Sequence, residues 1–172
     1  VQAVELEGAE HFGKTEAWYI IEADEDAQLI SGFRPGITYG MIEEAVRGGK
    51  ILDLVKRRTV HSGDSILISP GTIHALGPGL LLYEVQQTSD ITYRVYDWDR
   101  KPTPGRQLHI EQAIAVLSPE EAGDVIPGET QTSLATSQYF KLEKITAEAP
   151  VEINTQGQSF SLLTAVDGQA DV

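Results

Sequence analysis

The chain has 172 residues, enough for one medium domain or one domain plus part of another, and its formal charge is −13 at pH 7. That charge repels phosphate backbones and anionic lipid, and the largest basic cluster against it is the short Lys56-Arg57-Arg58 run, so nucleic acid and membrane surfaces are poor partners. There is no cysteine, which excludes disulfides and thiolate metal sites and leaves His, carboxylate and amide oxygen as possible ligands. No apolar run approaches the roughly 20 residues of a membrane span. The opening stretch VQAVELEGAE lacks the basic and apolar regions of a signal peptide, so a soluble, cytoplasmic protein is expected.

Along the chain, the short apolar or alternating runs AWYIIEA, AQLISGF, SILIS, LLLYEVQ and TYRVYDW are each bounded by Gly, Pro, Asp or Ser. This is the pattern of a compact antiparallel sandwich or barrel and places residues 1–100 in one β domain. Within it, YGMIEEAVRGGKILDLVKRR reads as two short helical pieces broken at Gly48-Gly49, with Lys56-Arg57-Arg58 as a solvated helix end. Such an insertion between strands would cover an opening. Residues 101–134 begin as the Pro/Gly-rich DRKPTPGRQ and continue into LHIEQAIAVLSPEEAGDVIP, a connector with a helix over its first half. Residues 135–172 return to strand patterns in SQYFKLEKIT, PVEINTQ and SFSLLTAVDG. Three strands cannot close a barrel, so this unit reads as the start of a second, incomplete one.

The candidate chemistry begins in HFGKTEAWYII, where strand alternation puts Lys14, Glu16, Trp18 and Ile20 on one face. A carboxylate beside Trp and Ile is costly to bury unless a cation meets it, and the simpler alternative is a Glu16 solvated or paired with Lys14 at the strand entrance. In LISPGTIHALGPG the Pro70-Gly71 turn should deliver His74 at the head of the next strand. A single His in an apolar run is ordinarily a satisfied core residue. Here, however, Gly63-Asp64, a strand and Ser-Pro-Gly-Thr-Ile-His resemble the second motif of the cupins, with Ser69 at the usual proline position. The first cupin motif has a counterpart in His11 and Glu16 of HFGKTE. An imidazole and a carboxylate pointing into a small barrel suit zinc, iron or manganese. Further on, Leu80, Leu82, Glu84 and Gln86 share one face, as do Thr92, Arg94, Tyr96 and Trp98, so polar groups stand where a plain core would be apolar.

GKTEAWYII, then PGTIHALGPGLLLYEVQQTSDITYRVYDWDR, then GRQLHIEQAI resemble, in that order, the bacterial type I mannose-6-phosphate isomerases, zinc enzymes built from cupin (jelly-roll β-barrel) domains. The resemblance covers most of residues 10–117, and YFKLEKI with SFSLLTAVDG looks like the start of that family's second cupin. It implies an all-β-dominated fold with a short helical insertion, Glu16 and His74 as ligands of one zinc ion, and Lys14, Glu84 and Arg94 in the pocket of a sugar phosphate. It further implies an aldose–ketose isomerisation between mannose 6-phosphate and fructose 6-phosphate through an enediol(ate). Arg94 would then face the enediolate oxygen or the phosphate, and Lys14 and Glu84 would serve proton transfer and hydroxyl recognition.

The family's remaining ligands come from a Gln-x-His segment ahead of Lys-Thr-Glu, and this chain departs from it there. Val1-Gln2 resembles its beginning, but Val4 stands where the histidine is expected. Either a stretch is absent and Gln2 survives as a ligand, or His11 substitutes, or the site is defective; absent sequence is the favoured reading. A non-catalytic sugar- or metal-binding cupin is the rival function, and an iron or manganese oxygenase a weaker third. His61 reads as exposed or locally bonded, His109 as a packing or capping residue, and Tyr96 and Trp98 as core rather than sugar-stacking platforms, although a position near a pocket would allow the second role.

Overall fold

In a computed structural model, residues 2–8, 12–101, 103–128, 132–169 and 171 are described. β1 (Glu16–Ala23) is the central strand: it pairs antiparallel with β4 (Ser65–Ile68) on one side and with β6 (Leu80–Gln86) on the other, and β4 pairs in turn with β7 (Val125–Ile126). A second sheet runs β3 (Val55–Thr59), β2 (Gln28–Phe33), β5 (His74–Leu76), again antiparallel. The architecture is β-dominated, as the strand punctuation predicts.

Alternation divides the strands into faces that pack differently. Trp18 and Ile20 of β1, Ile66 and Ile68 of β4, Leu29 of β2 and Val60 form one buried cluster. Ile30 and Phe33 of β2 join Ile73, Val55 and the helices in another. The helices form where the pattern changes from period 2 to 3.6. α2 (Tyr39–Arg47) starts at Thr38, whose hydroxyl accepts from the Met41 N–H at 3.4 Å, and buries Ile42, Ala45 and Val46 on one stripe. α3 (Ile110–Val116) buries Ala113 against the same cluster. Arg47 ties the two helices by a bidentate contact to Glu111 at 2.6 and 2.9 Å. A short helix α1 (Gln2–Glu7) lies by α3 and reaches the core region through Glu7, which accepts from the Tyr93 hydroxyl at 2.8 Å.

Three expectations are corrected. Lys56-Arg57-Arg58 do not end a helix: only a 3-10 turn at Ile51–Asp53 precedes them, and they lie in β3, where Arg57 and Arg58 pair with Ile30 and Leu29. The apolar contacts of Val55 and an open edge of β2 outweigh the helical pattern of the insertion. TYRVYDW forms no strand. Tyr93, Val95 and Tyr96 still pack on the helix-side core, but the Arg94 backbone bonds to His109 rather than to a ladder. Within residues 101–134, α3 packs on the helix-side core and β7 pairs with β4. Finally, the strands expected at PVEINTQ and SFSLLTAVDG are absent among the described residues. Phe160 and Leu162 stand 85 % and 79 % exposed, without the neighbouring strand that a ladder requires.

What does form in the last region is a hairpin, β8 (Ser133–Thr136) with β9 (Lys141–Glu143). It serves the first sheet. Tyr19 and Ser65 are register partners on the face opposite Trp18. Ser65 Oγ donates to the Leu134 carbonyl at 2.8 Å, and Lys144 Nζ stands 5.4 Å from the Tyr19 ring centroid. The hairpin thus buries the outer face of β1 and β4. No helix among the described residues is long and apolar enough to cross a membrane.

This division of the chain makes opposite predictions for two apolar residues. Ile66→Ala, at 1 % exposure in the inter-sheet cluster, should cost about 2–5 kcal/mol in denaturant unfolding. Leu162→Ser should change stability by less than about 0.5 kcal/mol.

Candidate active site

Glu16 is the first residue of β1, and its face is dictated by register: it stands in line with Trp18 and Ile20 and is only 2 % exposed. Two cationic groups meet it there. Lys14 Nζ lies 2.7 Å from Oε1, and His74 Nε2 lies 3.3 Å from Oε2. Lys14 is held from the other side by Gln86 Oε1 at 2.9 Å, and the Thr15 N–H donates to Gln87 Oε1 at the same distance, so the Gln86-Gln87 pair at the end of β6 fixes the entry to β1. Burial by itself would raise the Glu16 carboxyl pKa, but the contacts from His74 and then Lys14 outweigh it and hold the group below its ordinary range.

His74 is placed by the turn before it. Gly71 has φ +89°, in the left-handed region, and a Cβ there would come 2.8 Å from the Val116 carbonyl oxygen, so the close approach of the turn to the end of α3 needs glycine. The turn brings the Thr72 carbonyl 2.8 Å from His74 Nδ1. A carbonyl has no proton to give, so Nδ1 carries the hydrogen and Nε2 is the nitrogen turned to Glu16. Burial disfavours the imidazolium, but the hydrogen bonds to Glu16 and to the Thr72 carbonyl prevail and raise the His74 pKa above its usual value. The ring also meets Trp18 edge-on, with centroids 5.5 Å apart.

These groups open into a cavity of about 440 Å³ whose walls include Lys14, Glu16, Thr72, His74, Arg94 and Trp98. It is a basic recess in an acidic protein. Arg94 belongs to the segment without a strand, and its backbone is held by a reciprocal pair: its N–H donates to His109 Nδ1 at 3.2 Å, and the His109 N–H donates to its carbonyl at 2.8 Å. Among the described residues the Arg94 guanidinium makes no ion pair. His109 sits at the N-cap of α3 without a side-chain capping bond, so its ring serves Arg94 rather than the helix. No spacing rule connects residues 94 and 109, and the role was not readable before folding.

Of the residues singled out by sequence, Lys14, Glu16, His74 and Arg94 come together. Glu84 does not: it pairs in register with Trp18 on β6, is exposed, and is not part of the cavity wall. Gln2 has its backbone in α1 and its side chain outside the described residues, as is all of His11. His61 is solvent-exposed, with Nδ1 3.7 Å from Asp64. Trp98, expected in the core, is 48 % exposed at the cavity wall.

A metal finds two suitable donors here. His74 Nε2 and the Glu16 carboxylate converge, and the Nδ1–H is tied to a carbonyl in the way that orients metal-binding imidazoles. The donor types fit zinc. Among the described residues no third His, Asp or Glu completes the set.

A β-dominated fold that brings a buried Glu and a His together beside Lys and Arg at one cavity defines a candidate small-molecule site, and comparison with known proteins gives the chain a particular kinship. The chain is homologous over nearly its whole length to mannose-6-phosphate isomerases. It is 36 % identical over 178 aligned positions to the mannose-6-phosphate isomerase of Streptococcus mutans, covering 99 % of this chain and 55 % of that protein. To mannose-6-phosphate isomerase ManA of Bacillus subtilis it is 34 % identical over 166 positions, covering 91 % of this chain and 52 % of the relative. The crystal structure of mannose 6-phosphate isomerase from Bacillus subtilis superposes with a TM-score of 0.68 at 30 % identity, covering 81 % of this chain and 47 % of that one. The chain therefore spans about half the length of the curated relatives it matches. No family model matches it.

Beside the cavity, Asp97 is clamped by Arg106 through both carboxylate oxygens and by Arg100 at 3.4 Å, closing the loop between residues 97 and 106. The Arg106 hydrogen bond is the main reason the Asp97 pKa falls below 3.8. A carboxyl depressed on folding stabilises the native state above its unfolded pKa and loses that contribution as pH falls through the folded value. Asp97→Asn should therefore be less stable than the parent near pH 6. The difference should shrink as pH drops below 3.8, measured by thermal melts across that range.

Proposed function

We propose that this chain carries the substrate site of a zinc-dependent isomerase that interconverts mannose 6-phosphate and fructose 6-phosphate. The observation that supports it is the convergence of Lys14, Glu16, His74 and Arg94 on one cavity in a homologue of proteins named for that reaction. Glu16 and His74 would hold the metal, with a further ligand from outside this pair. When bound, zinc supplies Lewis-acid stabilisation of negative charge on a sugar oxygen.

The reaction opens the sugar ring and moves a proton between C1 and C2 through an enediol(ate), so charge grows on oxygen and must be met by fixed donors. Arg94 is the group for this. It is half-buried, its backbone is held by His109, and its planar fork of N–H donors matches an enediolate oxygen or a phosphate. Lys14 keeps its ammonium between Glu16 and Gln86, which suits it to orient a sugar hydroxyl. The buried Thr72 hydroxyl, without a partner of its own, is a second polar contact on the wall. Glu84, off the wall, is set aside as the proton-transferring group.

A non-catalytic sugar- or metal-binding relative is the second reading, favoured by the single His–Glu pair that the described residues bring together. Turnover separates the two. With zinc-loaded protein, conversion of mannose 6-phosphate should be lost on chelation. Arg94→Ala should lower kcat/KM by roughly 10²–10³-fold with the melting temperature unchanged. A folded, zinc-loaded chain that binds mannose 6-phosphate without converting it would establish the binding module instead.

A further inference from the structure

The loop that closes on the cavity after Arg94 holds a feature that the metal and charge chemistry leaves unused. Trp98 and Asp99 have φ of +49° and +55°, consecutive left-handed residues without a glycine between them. Bulky side chains rarely adopt this conformation, and it persists only where the surroundings enforce it. Here they do. Asp97 is locked by Arg106 and Arg100 on one side of the pair, and Asp99 accepts from the Tyr96 hydroxyl at 3.1 Å on the other. The result is an indole that is 48 % exposed yet part of the cavity wall. Its ring leans on Tyr96 at 5.7 Å between centroids, and the Arg100 guanidinium stands 6.0 Å from it. The ring is therefore oriented from behind by side chains while much of its surface stays open.

An apolar ring fixed by a strained backbone at the wall of a polar cavity suits a ligand with both kinds of surface. A pyranose has them, hydroxyls at its edge and C–H bonds across its face. We propose that Trp98 is a substrate-binding platform that stacks on the C–H face of the sugar while Arg94 and Lys14 take its polar groups, a proposal that rests on the sugar-phosphate reading of the cavity. The strained turn is what presents the ring: a relaxed, extended backbone through residues 98 and 99 would lose the Tyr96–Asp99 contact that holds it.

The chain has two tryptophans, and because Trp18 is buried against His74 and can also respond to occupancy of the site, the part of an emission change that is lost in Trp98→Phe is the part that reports Trp98. Mannose 6-phosphate should change the emission of the zinc-loaded protein saturably, inorganic phosphate at the same concentration should not, and Trp98→Phe should remove most of the change, leaving only what Trp18 beside His74 contributes. In turnover, Trp98→Ala should raise KM by about tenfold with kcat within about twofold, whereas Trp98→Phe, which keeps an aromatic face, should restore KM to within about threefold of the parent. An emission change of full size in Trp98→Phe, an equal response to inorganic phosphate, or an unchanged KM in Trp98→Ala would overturn the platform. Saturable, Trp98-dependent emission in a protein without turnover would uphold it while refuting the isomerase.

Discussion

A carboxylate that has left water at the head of the central strand is the constraint on which the rest of this site depends. An ion of that kind costs several kcal/mol to desolvate unless opposite charge and hydrogen bonds meet it. Glu16 is met on both oxygens, by Lys14 from the segment just before its strand and by His74 from the other sheet. The pair therefore links the two sheets electrostatically as well as by packing. It also gathers Lys14 and His74 around one carboxylate in a chain whose net charge is −13.

Everything near that carboxylate can be understood as positioning. Gln86 and Gln87 hold the entry to β1, and the Pro70-Gly71 turn presses against the end of α3 and turns the His74 ring by way of the Thr72 carbonyl. His109, at the head of the same helix, fixes Arg94 through the backbone. α3 therefore supports both the imidazole and the guanidinium, one at each of its ends. The outer face of the sheet that carries Glu16 is covered by the β8–β9 hairpin, so the segments beyond residue 100 contribute to the first unit rather than standing apart from it.

Strands β1, β2, β4 and β6 were legible as short apolar or alternating runs that turn residues punctuate, and α2 was legible as a helical piece that ends at Gly48-Gly49. β3 was not, since Val55–Thr59 follows a helical insertion and its three basic residues resemble a helix end until β2 offers an edge to pair with. TYRVYDW and SFSLLTAVDG have strand periodicity without strands. The first spends its backbone bonds on His109 and the second has no neighbouring strand among the described residues.

For the site, the residue types and their local order determined the outcome at Lys14, Glu16 and His74: alternation sets a face, and a proline–glycine turn sets where the next strand begins. The likeness to the mannose-6-phosphate isomerases was carried by those same short motifs. Only the tertiary structure decided that Arg94 joins them, that Glu84 does not, and that Trp98 stands open at the wall instead of in the core. Periodicity records which side of an element a residue is on, a local property of the backbone. It holds no information about the distance between faces brought together by loops, and that distance determines which charges meet.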